Sequence, residues 1–249
     1  MREKLKVALG QVHLVMGDKA TNKKNLLKAV EAAGRLGCDL IVLPECPLSG
    51  WLSPKAKTQA ESIPGPYTRS LSRLAKRYRM AVVSGIEERQ GEQIYNSAVM
   101  IGRDGALLAT HRKINELDIG LKLYSRGTHL GVFDFEGRKV ALNICADSWG
   151  AEICDTLSLM GAELIFSPCA WAIPAGGEEK NIAWISSTYF KRCKDRKLSI
   201  VAVNSVGTLD AGPWKGRLLQ GDSLVVQGPR GKVIAQGARN QAELKVLSF

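Results

Sequence analysis

Three apolar, β-branched-rich runs in this chain each end in a reactive side chain. LIVLPE closes on Glu45, LLATHRK closes on Lys113, and VALNICADSW carries Cys145 just past its apolar stretch. Strands that end this way bring distant residues to one sheet edge, which is what an α/β or α+β enzyme requires. A carboxylate, an ammonium and a thiol at one edge supply a base, an electrophile stabiliser and a nucleophile. Together they point to thiol-based hydrolysis of an amide-like bond.

Strand and helix patterns alternate along the whole chain. VALGQV reads as a strand, and TNKKNLLKAVEAAGRLG as a helix whose Leu26, Val30 and Ala33 share a face and which stops at Gly37. DLIVLPE is the next strand, followed by the turn-rich SIPGP, a basic helix and the strand MAVVSGIEE. YNSAVMIGRDGALLATHRK reads as a β-hairpin turning at Asp104-Gly105, and VFDFEGRKVALNIC repeats the design at Glu136-Gly137. A helix near 151–160, the strand ELIFSP, a helix near 178–194, the strand SIVAVNSVG and a last hairpin, GDSLVVQGPRGKVIAQG, complete the expected order. At 249 residues without a linker, the expectation is a single domain over 1–249, an α/β (α+β) sandwich of two sheets flanked by helices.

The net charge of +11 raises the question of nucleic acid. In TRSLSRLAKRYR, however, Tyr67, Leu71, Leu74, Ala75 and Tyr78 form one apolar stripe, which sends the basic side chains to the wet face. No nucleic-acid-binding signature accompanies the charge, so it suggests at most an acidic substrate or partner. The six cysteines (Cys38, Cys46, Cys145, Cys154, Cys169 and Cys193) form no CxxC pair, and His13, His111 and His129 are scattered. No metal centre is therefore expected. The start, MREKLKVALGQV, passes from charges straight into a strand, and no apolar run is long enough to cross a bilayer. A cytoplasmic protein with reduced thiols, and without a membrane partner, is expected.

Several segments in register resemble the nitrilase, or carbon–nitrogen hydrolase, superfamily, in its amidase-type branch. LPECPLSGW is similar to the segment around that family's catalytic Glu, YNSAVMIGRDG with HRK to the hairpin leading to its catalytic Lys, and ICADSWGAE to the stretch around its nucleophile. FSPCAW, IVAVNSVG and GDSLVVQGPRGKV follow in the family's order. The resemblance implies a four-layer αββα sandwich of two mixed β-sheets and a Glu45–Lys113–Cys145 triad. It also implies cofactor-independent cleavage of a small amide or N-carbamoyl compound through a thioester, and a homodimer or higher homo-oligomer. Trp149, Trp171 and Ala146 are candidate substrate-binding residues, and Cys169 a bystander thiol near the same wall. Glu152 is expected to hold the nucleophile turn through hydrogen bonds, and Asn204 and Ser223 to be scaffold.

Departures from the family pattern leave alternatives open. The place of a second active-site Glu falls near Gly120, with Glu116 and Asp118 as neighbours able to substitute. FKRCKDRKLS has Asp195-Arg196 where an acidic-Asn pair is usual, and the chain ends soon after the last hairpin, which leaves assembly open. Ala146 after the nucleophile resembles amidase-type members more than nitrilases proper. Nitrile hydrolysis is the enzymatic alternative, and a binding or assembly module that keeps the fold is the non-enzymatic one. A thiolate pKa lowered at Cys145 is expected of the enzyme and not of the module.

Overall fold

The computed structural model describes residues 4–248; the first three residues of MREKLKVALGQV lie outside the described residues. The first half runs β1 (Lys6–Gln11), α1 (Lys19–Arg35), β2 (Leu40–Val42), α2 (Ala56–Gln59), α3 (Pro66–Tyr78), β3 (Ala81–Gln90), β4 (Gln93–Ile101) and β5 (Leu107–Arg112). The second runs β6 (Val132–Phe135), β7 (Arg138–Leu142), α4 (Glu152–Leu159), β8 (Leu164–Pro168), β9 (Ala172–Ile173), α5 (Glu178–Cys193) and β10 (Ser199–Val203). It closes with β11 (Val206–Thr208), β12 (Leu218–Gln220), β13 (Leu224–Gln227), β14 (Lys232–Gln236) and β15 (Glu243–Ser248). One sheet has the order β15-β1-β2-β3-β4-β5, the other β14-β13-β10-β8-β7-β6, and a small third sheet joins β11-β12-β9.

Period-two alternation decides which side of each strand faces what. In the first sheet Val7, Leu9, Leu40, Val42, Ala81 and Val83 join Val140, Leu142, Leu164, Phe166 and Ile200 of the second sheet in one buried cluster. Their neighbours Ala8, Ile41, Leu43 and Val82 point the other way and pack against Leu26, Val30 and Ala33 of α1 and Tyr67, Leu71 and Ala75 of α3. On the far side of the second sheet, α5 contributes Ile185, Tyr189 and Cys193 and α4 contributes Cys154 and Leu157. The layers are thus helix, sheet, sheet, helix, the expected αββα sandwich. The basic residues Arg69, Arg73, Lys76 and Arg77 of α3 stand in solvent, and Arg196 of the second basic stretch pairs with Asp155 at 2.6 Å. No helix among the described residues is long and apolar enough to cross a membrane.

The end of the chain departs from the sequence reading. The last expected hairpin is present as β13–β14, but it does not close the fold. Glu243–Ser248 forms a further strand, antiparallel to β1, with Val246 opposite Ala8 and Leu244 opposite Gly10. Its alternating Leu244 and Val246, packed under the first sheet's outer face, carried the signal that the reading passed over.

Both expected hairpin turns form. Glu136 and Gly137 each have positive φ (48° and 68°), as a two-residue turn between right-twisted strands needs. Gly85 of β3 serves a different purpose: a Cβ there would lie 2.4 Å from Pro44 O and 2.7 Å from Glu45 Cα. Its N–H donates to Pro44 O at 3.0 Å, so the bare backbone of β3 seats the segment that presents Glu45. Gly85→Ala is expected to push that segment away, with a loss of about 1–3 kcal/mol in stability and roughly 100-fold in turnover. Urea unfolding alongside rate measurement checks both; unchanged rates would mean the seat is not needed.

Candidate active site

Each of the three candidate side chains leaves the end of a strand and is locked there by its neighbours. Beyond β2, the Glu45 N–H donates to Cys169 O at 3.3 Å across the sandwich. The turn that follows is pinned by Glu87, whose carboxylate accepts from Ser49 N (2.7 Å), Ser49 Oγ (2.6 Å) and Leu48 N (3.2 Å). Burial pushes the Glu87 carboxyl up, and those donors oppose the rise. Lys113 follows β5 directly, its N–H donating to Asn96 O at 2.8 Å. Cys145 opens a single 3-10 turn, Cys145–Ser148, beyond β7.

Lys113 Nζ lies 2.7 Å from Glu45 Oε1 and 3.4 Å from Glu116 Oε1, and all three side chains are buried. Asn96 Nδ2 donates to both carboxylates, at 2.6 Å to Glu45 Oε1 and 3.0 Å to Glu116 Oε2. Burial alone would pull the Lys113 ammonium down, but the charges of Glu45 and Glu116 overcome it and hold the group well above its usual range. Burial raises the Glu116 carboxyl and the Lys113 charge opposes that rise. Lys113 is therefore a fixed cation and not a base. Glu45 Oε2 has no hydrogen-bond partner among the described residues, and Glu45 lines the same cavity as Cys145. It is the cluster's unpartnered acceptor atom facing that cavity.

Of the two acids that the sequence offered beside Gly120, Glu116, three residues after Lys113, is the one that stands against the ammonium. The nearest atoms to a Cβ at Gly120 would be those of the Glu116 side chain, the closest at 2.4 Å. Asp118 is exposed and takes no part.

Cys145 has φ +47°, a left-handed conformation that costs a non-glycine residue of order 1–3 kcal/mol and marks a sharp strand-to-turn transition. The turn's first bond runs from Asp147 N–H to Ile144 O, so the N–H groups of Cys145 and Ala146 precede the ladder. Asp147 holds the turn. Its Oδ2 accepts from Ile144 N at 2.9 Å and lies 2.8 Å from His111 Nε2, while its Oδ1 accepts from Ile114 N (3.1 Å) and Asn115 N (2.7 Å). Asn115 Nδ2 also donates to Ala146 O at 2.6 Å. The nucleophile turn is thereby stitched to the loop that carries Lys113. Glu152, expected in this role, is exposed at the start of α4 and folds over Gly150. Asp147→Ala strips the acceptor from several buried donors at once and is expected to cost about 3 kcal/mol or more, read as a lowered melting temperature, with turnover falling in parallel. An unchanged melting temperature would remove Asp147 from this role.

The Cys145 thiol does not meet the expectation of a lowered pKa. A hydrogen bond with Cys169, then burial and the Glu45 charge, push it well above the usual thiol range, and Lys113 only partly opposes them. The resting thiol is protonated. Cys169, buried and near Tyr189 Oη at 3.5 Å and Ser167 O at 3.3 Å, acts on the nucleophile's thiol and is not merely a residue near the wall.

A cavity of about 210 Å³ opens over these groups, lined by Glu45, Lys113 and Cys145 together with Ala146, Trp149 and Trp171. All six candidate site residues therefore share one space. Residues 6–247 match the model of the carbon-nitrogen hydrolase family. The chain belongs to that family.

Among its relatives, an omega-amidase NIT2 of Danio rerio is 35% identical over 185 residues, which cover 70% of this chain and 66% of that protein. A chloroplastic omega-amidase of Arabidopsis thaliana is 29% identical over 245 residues, covering 92% of this chain and 63% of that protein. The chain spans slightly less than two thirds of the length of these curated relatives. The fold is shared with a carbon-nitrogen hydrolase from Helicobacter pylori G27 (TM-score 0.89, 22% identity, covering 99% of this chain and 89% of that one). An amidase from Nesterenkonia sp. is similar as well (TM-score 0.84, 21% identity, covering 100% and 91%).

Within this member of the carbon-nitrogen hydrolase family, sequence reasoning overlooked Asn96, His111 and Asp147. Each had a signal. Asn96 and His111 lie within strands and Asp147 two residues after the nucleophile, and a buried polar side chain in such a place needs partners that it will organise. Asn204 and Ser223 are scaffold as expected: Asn204 Oδ1 accepts from Trp171 N at 3.0 Å, and Ser223 Oγ donates to Gln11 Oε1 at 2.7 Å.

Proposed function

We propose that this protein is a thiol hydrolase that cleaves the C–N bond of a small amide or N-carbamoyl compound through a cysteine thioester, with Glu45, Lys113 and Cys145 as its catalytic residues. The observation that carries the reading is the buried Glu45–Lys113–Glu116 cluster opening into the cavity that also holds Cys145. Because the resting thiol is protonated, Glu45 takes its proton as the sulfur attacks the amide carbon. Negative charge on the carbonyl oxygen is met by the Lys113 ammonium and the Ala146 N–H at the start of the nucleophile turn. Glu45 then returns the proton to the departing nitrogen, releasing ammonia or an amine and leaving a thioester on Cys145. Water, deprotonated by Glu45, attacks the thioester, the C–S bond breaks, and the proton passes to sulfur. The reaction needs no metal or organic cofactor.

The relatives named omega-amidases support an amide over a nitrile. Glu116 supports an enzyme over a binding module, since the second acid thought missing stands against Lys113 and Asn96. The reading extends to a single catalytic domain in a cytoplasmic setting, supported by six free and buried cysteines. It extends also to a homo-oligomer, supported by exposed apolar side chains such as Leu159 at 89% exposure. Ammonia release from ω-amides, N-carbamoyl amino acids, aliphatic amides and nitriles, with the Cys145→Ala protein as blank, tests the function. Release from an amide or N-carbamoyl compound that vanishes in the blank is expected. Release from nitriles alone, or none from a folded protein, would overturn it.

A further inference from the structure

Cys145 and Cys169 stand at matched places on neighbouring strands. β7 and β8 pair in parallel, and the last pair of their register is Leu142 with Phe166. Each cysteine follows its member of that pair by three residues. Neighbouring strands run about 4.8 Å apart, and a disulfide bridges Cα atoms about 4.4–6.8 Å apart. The side chains turn toward one another, since the two thiols share a hydrogen bond. Cys169 is held firmly where it stands. Its N–H donates to Val203 O at 2.8 Å, its carbonyl accepts from Glu45 N at 3.3 Å, and its thiol donates to Ser167 O at 3.3 Å.

The two thiols differ in access. Of the six cysteines, Cys145 alone lines the active-site cavity, whereas Cys169 is fully buried and takes no part in the lining. A small oxidant that enters the cavity therefore meets Cys145 first and finds Cys169 behind it. The thioester scheme, for its part, gives the Cys169 sulfur no step. A second thiol against a nucleophilic one is the arrangement that lets an oxidised cysteine be captured as a disulfide.

We propose that Cys145 and Cys169 form a reversible oxidation site, in which a peroxide oxidises the nucleophile and Cys169 resolves the product to a disulfide. Glu45 takes the Cys145 proton as the sulfur attacks one peroxide oxygen. The O–O bond breaks, and the departing hydroxide takes that proton and leaves as water, so Cys145 becomes a sulfenic acid. The Cys169 sulfur then attacks the Cys145 sulfur and the S–O bond breaks. The second hydroxide takes the Cys169 proton, giving another water and the disulfide. Two thiols are thus oxidised by two electrons in all, and one peroxide is reduced to two waters. A dithiol reductant reverses the closure by thiol–disulfide exchange. Closure also stops the nucleophile short of the sulfinic acid, from which thiols do not recover it. The site goes beyond the hydrolase reading and takes from it only Glu45 as the base.

Peptide mapping by mass, on the full chain treated with excess hydrogen peroxide and blocked at its remaining thiols, tests the site. A linked Cys145–Cys169 peptide, two hydrogen atoms lighter than its two halves, is expected. Ammonia release is expected to fall in proportion to the linked fraction and to return to its untreated value with dithiothreitol. In Cys169→Ser the nucleophile has no resolving thiol. The same treatment is expected to leave Cys145 carrying two or three oxygen atoms, with a loss of release that dithiothreitol does not reverse. Each protein is compared with its own untreated sample, and if Cys169→Ser does not fold, the linked peptide of the parent decides alone. Cys145 left reduced, Cys145 oxygenated in the parent without a link, a link between other cysteines, or recovery of Cys169→Ser like the parent would each overturn the proposal. A parent that forms the link but releases no ammonia before treatment would instead strike the hydrolase reading and leave the oxidation site standing.

Discussion

Cys145→Ala is expected to reduce ammonia release to background, a fall of roughly 10⁴-fold or more, while the protein stays folded. The loss is large because the other groups act only on an acyl group that the sulfur has attacked. Glu45 has no thiol proton to take, and the Lys113 ammonium has no tetrahedral oxygen to face. The structural cost is small by comparison. The substitution removes one buried atom and its contact with Cys169, about 1 kcal/mol at the scale of a single buried methyl. The left-handed backbone at this position is no worse for Ala than for Cys. Release rates and thermal melting of the same preparation check both halves, and release retained by a folded variant would end the thioester scheme.

Lys113→Met is expected to abolish turnover and also to destabilise the fold by about 3–5 kcal/mol near neutral pH. Its ammonium stands between two buried carboxylates, so its removal leaves Glu45 and Glu116 facing one another without a cation. The pH dependence has a definite sign. Burial already raises the Glu116 carboxyl, and the Lys113 charge that holds it down would be gone, so its folded-state pKa rises further. A carboxyl with a raised folded pKa binds more protons folded than unfolded above its ordinary range, so stability falls as pH rises through that window. The variant is therefore expected to lose most stability near pH 8 and to recover part of it toward pH 5, read by urea unfolding across that range. A variant as stable as the parent at pH 8 would mean that the two acids are not held as a charged cluster.

Much of this site is legible in the sequence. Strands end in turns, so the apolar runs closing on Glu45, Lys113 and Cys145 located each residue at a sheet edge. The resemblance of their flanking motifs then implied the roles proposed for them. Helix faces were legible for the same local reason: Leu26, Val30 and Ala33 repeat at helical spacing, and all three are buried. Counting along the chain left Glu116 and Asp118 beside Gly120 as candidates for the second acid, and the turn after Lys113 carries Glu116 back to the ammonium three residues earlier. One error was local as well. The alternation in Glu243–Ser248 was short and terminal, and was passed over, although β1 supplies the partner that makes it a strand.

The sequence by itself determined which segments are strands and helices, which face of each is apolar, and which side chains stand at strand ends. These follow from backbone periodicity and turn chemistry, which act over a few residues. Tertiary structure alone decided that Asp147 rather than Glu152 secures the nucleophile turn, that Cys169 raises the Cys145 thiol, and that Arg217 reaches the cavity on a hairpin more than seventy residues from Cys145 in the chain. Such contacts depend on how two stacked sheets and their connecting loops bring remote positions within a few ångströms, and an electrostatic environment exists only once those charges and dipoles are assembled away from water.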